Sequence, residues 1–84
     1  MDVVQRNTTL FLNAFGCSPT EAGFQTSPEG GFTANNHQLE LRVDADGRAL
    51  GWFLDGNKLV EHGVRNRRSP ERRANLSLLQ AKIA

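Results

Sequence analysis

The chain has 84 residues, with 38% apolar and 23% charged side chains. That length and composition describe one small globular domain and exclude wholesale disorder. Its one cysteine, Cys17, excludes an internal disulfide and with it a disulfide-stapled secreted scaffold. The net charge of +1 is unevenly spread: residues 1–64 carry four basic and eight acidic side chains, whereas residues 65–84 carry six basic and only Glu71.

The first residues, with Asp2, Arg6, Asn7, Thr8 and Thr9, form neither a basic nor an apolar leader region. No apolar run approaches the roughly 20 residues of a membrane span. The expectation is therefore a soluble cytoplasmic protein with no membrane partner.

Residues 3–15 carry two periodicities. Val4, Thr8, Phe11, Leu12 and Phe15 share a helical face, while Leu10, Leu12 and Ala14 also fit a strand. The length of the segment and the stop at Gly16 favour a helix. Ser18-Pro19-Thr20-Glu21 is a helix-start signature that Gly23 cuts to a single turn. The turn-rich TSPEGG stretch, Thr26 to Gly31, lies between Phe24 and Phe32, which are expected to flank it as short hairpin strands.

Asn35-Asn36 marks a further turn, after which residues 37–64 read as an antiparallel meander. Leu39, Leu41 and Val43 alternate along its first strand. Asp46-Gly47 and Asp55-Gly56-Asn57 supply turns that tolerate positive φ. The second strand, Ala49 to Leu54, has Leu50, Trp52 and Leu54 on one side and Ala49, Gly51 and Phe53 on the other, as a central strand would. Gly51 is a candidate bulge or close-packing position. The third strand is expected at Lys58 to Val64, with Val60 inward and Lys58 and Glu61 blunting an edge.

Residues 65–69 form a basic connector. Ser69-Pro70-Glu71 then starts a C-terminal helix over residues 70–83, with Leu76, Leu79 and Ile83 on the stripe facing the sheet and Leu78 left for a partner. The expected architecture is one α+β domain: a small antiparallel meander of three to five strands, a C-terminal helix on one face and an N-terminal helix.

Few residues suit catalysis or metal binding. Asp44-Ala45-Asp46-Gly47 has the look of a calcium loop, but that register puts Arg42 and Phe53 at liganding positions, so a hairpin turn is the better reading. Cys17, His37 and His62 lack metal-ligand spacing. No nucleophile–base motif or phosphate-cradling glycine motif occurs, and no cofactor or small-molecule ligand is implied. Cys17 reads as a half-buried structural thiol.

The arginines are the most informative functional feature. Arg65, Arg67, Arg68, Arg72 and Arg73 crowd the start of the C-terminal helix, where the helix dipole already disfavours positive charge. They suit phosphate, an acidic protein surface or internal pairing with Asp55, Glu61 or Glu71. The near-neutral total argues against a nucleic-acid-binding domain. Trp52, Phe53 and Leu78 are candidate apolar anchors. The expectation is a non-catalytic small binding protein: an inhibitor, adaptor or assembly factor of the kind phages and mobile elements often carry. Its partner would be another protein or a second copy of itself. The alternative is a nucleic-acid-binding accessory protein using the five arginines, with a small enzyme as a distant third.

Overall fold

A computed structural model describes residues 2–61 and 69–84. Helix α1 spans Val3–Phe15. Asp2 starts it, its carboxylate accepting from the amides of Val4 (2.7 Å) and Gln5 (3.4 Å). Gly16 ends it at φ 78°, its N–H donating to the Leu12 carbonyl. The β-branched residues that argue for a strand are accommodated here. Thr8 and Thr9 donate their hydroxyls back to the carbonyls of Val4 and Gln5. The Ser18 box forms as a single turn, with the Glu21 amide donating to Ser18 Oγ at 3.2 Å.

Five strands follow: β1 Gln25–Thr26, β2 Phe32–Ala34, β3 His37–Val43, β4 Ala49–Leu54 and β5 Asn57–Glu61. They form one antiparallel sheet in sequence order. Two of its turns are two-residue loops with positive φ at both positions, Asn35-Asn36 (49° and 66°) and Asp55-Gly56 (51° and 85°). That backbone matches the right-handed twist of the flanking strands. The β3–β4 loop is held by Asp44, whose carboxylate accepts from the amides of Asp46 and Arg48, both at 2.9 Å. The strand expected at residues 58–64 runs Asn57–Glu61; residues 62–64 lie outside the described residues. Helix α2 spans Ser69–Ile83.

Two bulges adjust the alternation. Arg42 pairs with Gly51 but Val43 with Ala49, so Leu50 is an extra residue in β4. Leu50 is consequently exposed, not inward beside Trp52 and Leu54 as strict alternation predicts. Trp52 pairs with Val60 but Phe53 with Lys58, which makes Leu59 the extra residue in β5 and lets both Leu59 and Val60 pack on the core.

One core lies on one face of the sheet. Phe11, Ala14 and Phe15 of α1, Ala22, Phe24, Phe32, Leu39, Trp52, Leu54, and Leu79 and Ile83 of α2 are its buried members. The rings touch mostly edge-on or tilted, at centroid separations from 4.5 Å (Phe11–Phe15) to 5.9 Å (Phe11–Phe24). Such pairs each add about 0.5–1.5 kcal/mol beyond the area they bury. Leu12, placed by helical spacing on the inner face, is 48% exposed; Ala14 takes the inward position instead.

Polar latches tie the elements together. Asn7, buried in α1, donates from Nδ2 to the Gly30 carbonyl at 2.9 Å. Asn75 of α2 donates to the Ala14 carbonyl at 2.9 Å, and Asn35 to the Ile83 carbonyl at 2.9 Å. No helix among the described residues is long and apolar enough to cross a membrane.

Candidate functional site

The second strand decides which residues can meet a partner. Successive side chains on β4 point to opposite faces. Trp52 goes to the helix side, where it is 0% exposed and touches Phe11, Phe15 and Phe32. The expectation that Trp52 anchors a contact surface is therefore corrected: two helices cover its face, and no part of the ring reaches the surface. Its Nε1–H is buried with no acceptor among the described residues. A stranded donor of that kind costs about 1–3 kcal/mol, which the aromatic packing around it offsets.

Phe53 goes to the other face and is only half-buried. It pairs with Glu40 of β3 on one side and Lys58 of β5 on the other. The Arg42 guanidinium lies over its ring, 4.3 Å from the centroid. Arg42 Nε in turn donates to Glu40 Oε1 at 2.7 Å. The three side chains form one unit in the middle of the sheet: an aromatic plate, a cation stacked on it and a carboxylate that holds the cation in place. A stacked cation at an exposed site is worth about 0.5–1 kcal/mol. Its remaining guanidinium N–H groups stay available to a carboxylate or a carbonyl. Thr33 and Gln38 continue this face toward β2. Among the described residues, no helix lies against it.

The arginine group divides. Arg65, Arg67 and Arg68 lie outside the described residues. Arg72 is half-buried with its stem against the end of α1: a Cβ at Gly16 would stand 3.3 Å from the Arg72 Cβ. Arg73 is exposed. Asp55, weighed as an internal partner for these arginines, is engaged elsewhere: its Oδ2 lies 2.6 Å from His37 Nδ1 and its Oδ1 accepts from the Gln38 amide at 2.9 Å. The histidine contact and then that amide hold the Asp55 carboxyl below the usual carboxylate range. Leu78, expected to be left over by the helix stripe, is 40% exposed, whereas Leu79 beside it is fully buried.

Cys17 packs partly on the core. Burial, and then the charge of Glu21, pushes its thiol up from the ordinary value, away from the thiolate that nucleophilic chemistry needs. Among the described residues no three histidine, cysteine, aspartate or glutamate side chains converge to hold a metal ion. His62 lies outside the described residues.

What sequence reading missed is the Arg42–Glu40 clamp on Phe53. The signal was present, since Glu40 and Arg42 are two apart on one strand and so share a face. That they share it with Phe53 depends on the β3–β4 register.

No known protein family matches the chain, and no curated protein or solved structure matches it significantly.

Proposed function

We propose that this chain is a non-catalytic binding protein that engages a protein partner through the uncovered face of its sheet. The observation carrying this reading is the half-buried Phe53 with Arg42 at 4.3 Å, clamped by Glu40, at the centre of that face. Aromatic and arginine side chains dominate the energetics of protein interfaces, because each offers a large contact area with directed polarity. Here they are ordered before any partner arrives, which lowers the entropic cost of binding. Leu78 and Arg73 on α2 form a separate exposed pair of contact candidates.

The test is affinity capture from the source cell with wild-type, Phe53→Ser and Leu78→Ser proteins, each first checked for unchanged thermal unfolding. A specific partner retained by wild type and by the Leu78 variant but lost with Phe53→Ser supports the reading. Capture indifferent to Phe53 overturns it. The same preparations run on heparin address nucleic acid. Retention that falls steeply with salt and vanishes on Arg72→Glu with Arg73→Glu assigns the arginines to phosphate instead.

A further inference from the structure

Strand β3 is longer than its neighbour. It runs His37–Val43, whereas β2 runs only Phe32–Ala34, and their pairing stops at Phe32 opposite Leu39. Even-numbered positions along β3 and just past its end turn their backbone groups toward β4: the Gln38 carbonyl accepts from the Asp55 amide at 2.8 Å, and the amide of Asp44, one residue beyond β3, donates to the Arg48 carbonyl at 2.9 Å. Alternation then aims the N–H and C=O of Leu41 and Val43 the other way, past the end of β2.

The chain ahead of β2 does not fill that space. Gly31 is taken up by Ser27, its amide donating to Ser27 Oγ (3.1 Å) and its carbonyl accepting from the Ser27 amide (2.8 Å). The Gly30 carbonyl is taken by Asn7. Among the described residues, no backbone group reaches Leu41 or Val43 from this side. Beside the gap lies a groove of about 320 Å³ bordered by Glu29, Gly30, Gly31, Leu39, Glu40 and Leu41. Its charged lining residues, Glu29 and Glu40, are both acidic.

We propose that the open edge of β3 at Leu41–Val43 accepts an extended basic peptide of the partner as an added strand. This rests on the reading of the chain as a protein-binding module and names the form of its partner. Alternating backbone donors and acceptors at strand spacing are matched by an extended peptide and by little else. Arg42 already neutralises Glu40, so the exposed Glu29 carboxylate is the charge in this groove that favours lysine or arginine on the incoming strand. Val43, 43% exposed, supplies apolar contact at the end of the edge. A second copy of this chain fits poorly. Two-fold pairing that uses both Leu41 and Val43 centres on Arg42 and sets it against its own counterpart, a like-charge pair.

The experiment titrates the protein with a short synthetic peptide alternating lysine and valine, and with a matched peptide alternating glutamate and valine, monitored by amide NMR and hydrogen exchange. The lysine peptide is expected to shift the Leu41 and Val43 amides and slow their exchange at least about tenfold; the glutamate peptide is not. Val43→Pro removes an outward N–H and no bond to β4, so it should weaken binding at least about fivefold, the worth of a hydrogen bond. Val43→Ala keeps the donor and gives up only part of the apolar contact, so it should bind more tightly than Val43→Pro. Unmoved Leu41 and Val43 amides, equal binding of the two peptides, or protection of these amides by self-association alone would each overturn the proposal. Peptide binding does not require Phe53. If it fails while capture still depends on Phe53, the edge proposal falls and the sheet-face reading stands; the reverse pattern separates them the other way.

Discussion

Replacing Asn7 by alanine tests how α1 is fastened to the sheet. Asn7 is 5% exposed, and its Nδ2 is the donor to the buried Gly30 carbonyl at 2.9 Å. Alanine strands that carbonyl away from water, a loss of about 1–3 kcal/mol. Its better helix propensity returns roughly 0.5 kcal/mol. The net expectation is a destabilisation of about 0.5–2.5 kcal/mol, which in a domain of this size lowers Tm by about 2–20 °C. Urea unfolding followed through the fluorescence of Trp52, the one tryptophan, reads it directly: the midpoint should fall with the slope unchanged. Asn7→Asp adds a second arm. It sets a carboxylate against the carbonyl, so at neutral pH it should be worse than alanine. An alanine variant within about 0.5 kcal/mol of wild type, the range of ordinary surface substitutions, would refute the latch.

Glycine supplies a matched comparison. Gly23 and Gly30 share nearly the same φ (92° and 91°), but a Cβ at Gly30 meets Asn7 Nδ2 at 2.7 Å whereas one at Gly23 meets nothing within 4 Å. Gly30→Ala should therefore cost about 1–3 kcal/mol more than Gly23→Ala in the urea midpoint; equal costs would remove the close approach from the account. On α2, Leu79→Ala should lose about 2–5 kcal/mol and Leu78→Ala under about 0.5, and similar values for the two would reverse the facing of the helix. Asp55 sets an acid limb. Its folded-state pKa lies below the unfolded value. Its contribution is therefore complete above that unfolded value, about 3.9, and is lost as pH falls through the folded one. Asp55→Asn should flatten the stability profile in that window, and an unchanged slope would show that the His37 contact is not coupled to folding.

How far residues alone carry this structure depends on whether a signal is local. The Asn35-Asn36 and Asp55-Gly56 turns are legible because few residues tolerate two successive positive φ values. The Ser18 box and the Gly16 stop are equally local. Helix α1 sits at the boundary: threonines and valine argue for a strand, but Phe11 and Phe15 lie four apart and stack only on a helix. Leu50 is beyond reach. Its alternation is correct, and only the pairing with β3 makes it the extra residue of a bulge. The choice between Trp52 and Phe53 as the buried ring is likewise undecidable from a strand with large side chains on both faces. It is set by which face α1 and α2 cover, a decision made across the whole chain. For the candidate surface the residue types were visible, and the Arg42–Phe53 stack was not, because it crosses between strands.

Each strand of the sheet pairs only with its sequence neighbours, so the sheet assembles from contacts a few residues apart, the topology that folds fastest for its kind. The last helix is different. Its hydrogen bonds close intervals of 61 residues, from Asn75 to Ala14, and 48 residues, from Ile83 to Asn35. Those closures carry the larger entropic cost. Contacts absent from the folding transition state leave the refolding rate nearly untouched and govern escape from the folded state. If α2 docks last, Leu79→Ala should speed unfolding and leave refolding nearly unchanged, a split that stopped-flow kinetics reads; slowed refolding would place α2 in the folding nucleus instead.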